Sequence, residues 1–247
     1  MLRDMVTGLP KFSTEHNNVC RGCALEKHTT TVFSSNDSRS VGVLDLIHFD
    51  FCGPMSFVSM RGFDYCVTFI DDHSRKTWIY FLKSKKFEEV LQRFQEFKAL
   101  VENQTRRRIR ALRTDNKNEY TSKDFDEYCR QEGIRRQLTL PYTPEQNGVA
   151  ERKNRSIVGA ARAMLHDQSL PFFLWAEACS IVVYLQNRSP HRALGSKTPK
   201  EMFTGMKPKV GSFCIFGCLT YLHVPFEKRT KLEPSAERGI FMGYDET

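Results

Sequence analysis

Between residues 41 and 83 three apolar, β-branched and aromatic runs follow one another with very short connections. They are "LDLIHFDF", "FDYCVTFIDD" and "KTWIYFLKS". Parallel neighbours need a crossover of a dozen residues or more, so these runs are expected as an antiparallel meander. In the first run Leu44, Leu46 and His48 alternate with Asp45, Ile47 and Phe49, and it ends at Asp50 before "CGP" breaks it. The period then changes. Phe87, Val90, Leu91, Phe94, Phe97 and Val101 recur at steps of three and four, which predicts a helix over 85–103. "RIRALRTD" reads as a strand ending at Asp115. "SKDFDEYCRQEG" reads as a helix capped by Thr121 or Ser122 and stopped by Gly133. "IRRQLTLPY" is another strand. Three strands, the third opening a β-α-β-α-β-α alternation, point to an α/β fold, a mixed five-stranded sheet with helices on its faces.

The stretch "LPYTPEQNGVAERKNR", residues 140–155, joins the last strand to a helix. Pro141 and Pro144 stop any helix upstream, and Asn147-Gly148 is a turn signal. The helix is expected from Val149, with no proline before Pro171. That places Glu151 in its first turn. Asn154 and Arg155 follow at i+3 and i+4, on the same face. A second, apolar helix containing Trp175 is expected from about Pro171 to Gln186.

The remainder changes character. "NRSPHRALGSKTPKEMF" reads as basic turns, and "GSFCIFGCLTYLHVP" and "ERGIFMGYDE" read as short strands of a small β-rich unit. Cys214 and Cys218 have apolar neighbours and are expected in its core. Ahead of the sheet, "CRGC" sets Cys20 and Cys23 at zinc-knuckle spacing, half of a tetrahedral site. His16 and His28 flank the pair without a convincing spacing. The organisation expected is therefore 1–40, a partial knuckle and linker; 41–190, the α/β core; and 191–247, the extension.

Of the 247 residues 40% are hydrophobic and 27% charged, so the chain can bury a sizeable core and is not of disordered composition. The net charge of +8 and a pI near 9.1 favour a polyanionic partner. No apolar run approaches the roughly 20 residues of a membrane span, and "MLRDMVTGLP" has no signal core. An intracellular protein without a membrane partner is expected, with thiols in preference to disulfides.

Three acids stand at element ends: Asp50, Asp115 and Glu151. Converging carboxylates repel unless cations are bound, and hard oxygen ligands suit Mg²⁺ or Mn²⁺. Asp71 and Asp72 compete for the same role, and spacing does not choose between them.

The stretches "LIHFDFCGP", "YCVTFIDDHSRKTWIYFLKSK", "LRTDNKNEY", "TPEQNGVAERKNR", "NRSPHRALGSKTPKEMFTGMKP" and "FGCLTYLHVP" resemble the integrase region of copia-type long-terminal-repeat retrotransposon polyproteins. The resemblance runs from about Leu44 to the end. It implies a ribonuclease H-like fold and an acidic triad on Asp50, Asp115 and Glu151, the last two separated by thirty-five residues. It also implies a two-ion Mg²⁺ or Mn²⁺ site and a reaction that processes DNA 3′ ends and joins element DNA to target DNA. The implied partners are double-stranded DNA, further copies of the chain and other parts of the Gag-Pol polyprotein. The implied location is the nucleus, after a cytoplasmic particle stage.

Asn154, Arg155, Lys153, Asn147 and Lys117 are the candidate DNA contacts. Two departures stand out. Lys117-Asn118 replaces the family's Gly-Gly, adding a charge beside Asp115. Of the family's His-His-Cys-Cys zinc module only Cys20 and Cys23 are present, so zinc is expected only in a longer protein. "GIFMGYDET" stops inside a family motif, so a fragment or a decayed copy is expected. The alternatives are an inactive DNA-binding or self-associating remnant, and a nuclease for RNA–DNA hybrids, against which the integrase-like stretches count.

Overall fold

The computed structural model describes residues 39–114, 123–138, 144–195 and 197–244, with backbone only at 144–147. The knuckle cysteines Cys20 and Cys23, with His16 and His28, lie outside the described residues, as do Asp115, Lys117 and the proposed caps Thr121 and Ser122. Residues 39–247 form one compact unit.

The meander is present. Strand β1 (Ile47–Cys52) pairs antiparallel with β2 (Tyr65–Asp71), and β2 pairs antiparallel with β3 (Thr77–Leu82). Strand β4 (Ala111–Thr114) lies parallel to β1, and β5 (Arg135–Leu138) parallel to β4. The sheet order is β3-β2-β1-β4-β5. Asp50 does not end its strand. β1 continues to Cys52, because Phe51 and Cys52 still pair with Val67 and Cys66. The ladder stops at Gly53, whose φ of +127° and close approach to Asp64 O and Tyr65 leave no room for a Cβ.

Each face of the sheet carries its own core. On one, helix α1 (Phe87–Thr105) buries Val90, Phe94, Phe97 and Val101. Phe97 stacks on Phe69 at 4.3 Å between ring centroids. Helix α2 (Lys123–Gln131) adds Phe125 and Cys129 to this layer. On the other face lie α3 (Pro144–Asp167) and α4 (Trp175–Arg188). Ala150, Ile157, Ala161 and Leu165 form the buried stripe of α3, and α4 buries Ala178, Ile181 and Val182. The steps of three and four place these residues on one face.

Helix α3 begins at Pro144, not at Val149. Proline suits a first helical position, where its fixed φ is helical and its missing N–H has no intrahelical partner to lose. Asn147 and Gly148 are therefore helical, and Glu151 sits in the third turn.

The segment read as turns near residue 200 contains a short helix, α5 (Pro199–Thr204). Thr198 caps it by accepting from Glu201 N at 3.1 Å. Strands β6 (Leu219–His223) and β7 (Ala236–Ile240) form a separate antiparallel pair. Cys214 is exposed and Cys218 only half-buried, so neither is a core residue. Two strands have too little second layer to bury them; Tyr221 and Leu222 on β6 are exposed as well. Among the described residues, no helix is long and apolar enough to cross a membrane.

Candidate active site

Alternation along β1 sends Ile47 and Phe49 into the α1 core, and His48 and Asp50 to the α3 side. There the side chain of Asn154 enters from α3. Its Nδ2 donates to Asp50 Oδ2 at 3.0 Å and approaches Phe51 O at 3.5 Å. Its Oδ1 accepts from the hydroxyl of buried Thr68 at 2.8 Å. Asn154 is only 6% exposed, so it is a positioning residue for Asp50, not a surface for DNA. The expectation that it faces the nucleic acid fails because its amide turns inward to a polar partner on β1.

Glu151 lies three residues earlier on the same helix and is half-buried. Side chains at i and i+3 stand about 5–6 Å apart at Cβ. The Asn154–Asp50 bond therefore anchors the helix one turn from Glu151. Arg155, at i+4 from Glu151, is exposed on that flank. Lys153 is not. Two residues from Glu151, it points about 200° away around the helix. It donates to Gln186 Oε1 at 3.0 Å. Burial, with Arg75 nearby, holds its ammonium pKa down at about 8. Lys153, Arg75, Arg152, Ser156 and His191 line a separate cavity of about 370 Å³. The side chain of Asn147 lies outside the described residues.

Asp115 lies outside the described residues. Thr114, the residue before Asp115, ends β4 and pairs with Phe49, the residue before Asp50. Because β1 and β4 run parallel, the chain leaves both positions in the same direction. Thr114 is fully buried, and its hydroxyl accepts from Arg136 on β5 at 3.0 Å. Arg136 also pairs with Asp126 and covers the Phe125 ring. Thr68 supports the Asn154–Asp50 contact, and sequence reasoning missed it. A threonine inside the apolar run of β2 was the available signal.

The rival acids are already engaged. Asp71 is fully buried and accepts from Leu44 N at 2.8 Å and from the Ser74 backbone and hydroxyl at 2.8 and 2.6 Å. Burial raises its pKa, and those hydrogen bonds offset only part of the rise. Burial would also raise Asp72, but His48 at 2.9 Å, Ser40 N at 2.7 Å and Arg75 at 3.2 Å hold it well below the usual carboxylate range. Both serve the β2–β3 turn, at the other end of β1 from Asp50. Arg106, Arg107 and Arg108 lie before β4, at the end opposite Thr114. Arg106 caps α1 in a left-handed conformation, φ 54°.

With this geometry in place the comparisons are decisive for the family. A model described as "Integrase core domain" matches residues 42–144, which include Asp50 and Asp115. The chain carries an integrase core domain.

A second model, "Retroviral polymerase SH3-like domain", matches residues 218–247, the part containing β6 and β7. The integrase core and its flanks are 46% identical over 225 residues to the retrovirus-related Pol polyprotein from transposon TNT 1-94 of Nicotiana tabacum, covering 91% of this chain. They are 35% identical over 241 residues to that from transposon RE2 of Arabidopsis thaliana, covering 97%. The chain spans only 17% and 16% of those relatives' length. The fold is similar to a chain of the simian T-cell lymphotropic virus intasome in complex with PP2A regulatory subunit B56 gamma. That match has a TM-score of 0.56 at 17% identity, over 81% of this chain and 70% of that one. It is also similar to the HTLV-2 integrase catalytic core domain in complex with magnesium, with a TM-score of 0.50 at 17% identity, over 67% and 99%. These likenesses support the ribonuclease H-like fold expected from the sequence.

Asp50 and Glu151 carry hard oxygen donors, the kind that suits Mg²⁺ or Mn²⁺.

Proposed function

We propose that this chain is the integrase segment of a retrotransposon Pol polyprotein, a metal-dependent enzyme that processes DNA 3′ ends and joins element DNA to target DNA. The observation that carries the reading is the Asn154–Asp50 bond, which locks the helix bearing Glu151 onto the strand bearing Asp50. Asp50, Asp115 and Glu151 would hold two Mg²⁺ or Mn²⁺ ions. When bound, such ions supply Lewis acidity and offset the charge that builds on a phosphodiester under attack. The reaction forms a new P–O bond from water or a DNA 3′-hydroxyl as the bond to the departing 3′-oxygen breaks, and that oxygen ends protonated. Asn154 and Thr68 fix the rotamer of Asp50, so the carboxylate meets its ligand without reorganising. Arg155 is the described candidate for holding the DNA backbone on this flank. Duplex DNA, a second copy of the chain and other Pol segments are its partners, and the nucleus is its place of action. Cys20 and Cys23, at knuckle spacing, would supply two of the four ligands of a zinc ion.

The test pairs a strand-transfer assay in Mg²⁺ or Mn²⁺ with metal-free DNA binding, on wild type and Glu151→Gln. The expected result is joining by the wild type only, with similar DNA affinity for both. Joining by the variant at the wild-type rate would remove Glu151 from the triad. Two inactive proteins that both bind DNA would indicate the remnant reading.

A further inference from the structure

The cavity of about 370 Å³ beside α3 gathers positive charge from separate segments of the chain. Arg152 and Lys153 come from α3, Arg75 from the β2–β3 turn and His191 from the residues after α4. No carboxylate lines it among the described residues. Asp72 takes Arg75 at 3.2 Å, but it also accepts from His48 and from Ser40 N. Arg152 and Lys153 have no ion-pair partner among the described residues. Arg39 donates to the carbonyl of Ala193, itself part of the lining, at 2.7 Å, so a further guanidinium stands at the rim. Burial, then Lys153, Arg75 and Arg39, hold the His191 pKa below its ordinary value.

The wall offers hydrogen-bond donors as well as charge. Lys153 gives one ammonium hydrogen to Gln186 Oε1 at 3.0 Å, which leaves two. The same amide donates from Nε2 to Ser156 Oγ at 3.2 Å, so the hydroxyl hydrogen of Ser156 is left for another acceptor. His191 Nδ1 accepts from Ala193 N at 3.2 Å, which puts the proton of the neutral ring on Nε2. Arg75 Nε is buried and has no acceptor. Buried polar groups are rarely left unpaired, and the groups left over here are donors.

We propose that this cavity binds a small, multiply charged phosphate of the di- or triphosphate class. Small-molecule sites start at roughly 300 Å³, so the volume suits a compact ligand. Three permanent cations share one enclosure, and such an anion brings several charges to it at once. A nucleic-acid backbone offers one charge per phosphate and matches the enclosure less well. The site is separate from the acids. Ile70, in its lining, lies two residues beyond Thr68 on β2, roughly 7 Å along the sheet from the Asp50–Thr68 pair. A ligand held by α3 and the β2–β3 turn together braces the helix that carries Glu151.

The probe is inorganic pyrophosphate, titrated calorimetrically into the whole chain with EDTA present. Without metal, Asp50 and Glu151 repel the probe, so the heat reports the cationic cavity. The proteins are wild type, Arg152→Gln, Lys153→Met and Lys209→Gln, the last an exposed lysine outside the cavity. Arg152→Gln and Lys153→Met should each weaken binding about 10- to 100-fold, the scale of a lost charge-assisted hydrogen bond. Lys209→Gln makes the same change in net charge and should bind as wild type does. Pyrophosphate should raise the melting temperature of wild type more than that of Arg152→Gln, and the melting curves without probe show that each protein is folded. No binding by folded wild type, or equal weakening by Lys209→Gln, would overturn the site. A competing short DNA duplex should leave pyrophosphate binding unchanged. If the duplex displaces pyrophosphate and Arg152→Gln also loses affinity for the duplex, the cavity belongs to DNA and the small-ligand proposal falls.

Discussion

Asn154 Nδ2 lies 3.0 Å from Asp50 Oδ2, and the same amide accepts the Thr68 hydroxyl at 2.8 Å. One side chain therefore satisfies a buried hydroxyl, orients an acid and pins a helix to a strand. The helix is 24 residues long, and its position along β1 sets where Glu151 stands. A small residue would leave Thr68 and Asp50 to find other partners, and the helix free to slide.

Asn154→Ala should lower joining activity by about 100-fold, the scale expected for misplaced reacting groups. It should also cost about 1–3 kcal/mol of stability through the lost hydrogen bonds to Thr68 and Asp50. DNA affinity without metal should be unchanged, because the residue does not reach the surface. Asn154→Asp keeps the shape and the acceptor for Thr68 but sets a second anion against Asp50. It should not restore activity, and the acid limb of its pH–rate profile should move up by about one unit or more. Steady-state rates and a binding isotherm on each variant would check this; recovery of full activity by Asn154→Asp would refute the orienting role.

Asp72→Asn should destabilise the fold by about 2–4 kcal/mol, since it leaves Arg75 and buried His48 without their shared anion. Asp72 has a folded pKa below its ordinary value of 3.8. Its stabilisation is therefore complete above about pH 4 and is lost as pH falls through the folded value. Urea unfolding at pH 7 and at pH 3 should show a smaller gap between wild type and variant at the lower pH. An equal gap at both would mean that the charge contributes nothing.

The period-two and period-three-to-four patterns sufficed for the sheet and for α1, α2 and α4, because each has one face that must be buried. They failed where a rule concerning one residue competed with tertiary context. Pro144 reads as a breaker, yet at a first helical position it costs little, so α3 started earlier than expected. Thr198-Pro-Lys-Glu is a helix start that was read as turns because only one turn and a half follows it. Asn154 sits between the buried stripe and the Glu151 flank of α3. Whether it turns in or out depends on what β1 offers, and no periodicity contains that. Asp50, Asp115 and Glu151 were singled out only by the family resemblance, because spacing left Asp71 and Asp72 as rivals, and Thr68 acts through Asn154 and leaves no motif.

Phe97→Ala should cost about 3–5 kcal/mol. Phe97 is fully buried and stacks on Phe69, with Trp78 at 5.2 Å and edge-on. Phe97→Leu keeps most of the volume and should cost less than half as much. Denaturant midpoints at fixed slope would measure both. A loss under 1 kcal/mol for the alanine variant would place this packing outside the folding core.

Lys153 supplies a prediction with the opposite pH sense. Its folded pKa, about 8, lies below the ordinary value of 10.5, chiefly because of burial and then because of Arg75. Below pH 8 the ammonium is charged in both folded and unfolded chains, and the folded state carries the full desolvation penalty. Between pH 8 and 10.5 the unfolded chain binds the extra proton, so stability rises with pH across that window. Above it the penalty is gone. Lys153→Met keeps the stem that packs beside α4 and removes the titration. At pH 7 the variant should be more stable than wild type, on the order of 1–2 kcal/mol after discounting for solvent screening and the lost bond to Gln186. At pH 10 the two should converge. The measurement is thermal or urea unfolding of both proteins at pH 7, 8.5 and 10. If Lys153→Met is instead less stable at every pH by a constant amount, the bond to Gln186 outweighs burial and the ammonium is not strained. Metal-free DNA binding at pH 7 gives a second readout. Lys153 faces away from Glu151, so the variant should keep its affinity for a duplex held at the acidic site. A clear loss of affinity would show that DNA also reaches the cavity shared by Lys153, Arg75 and His191.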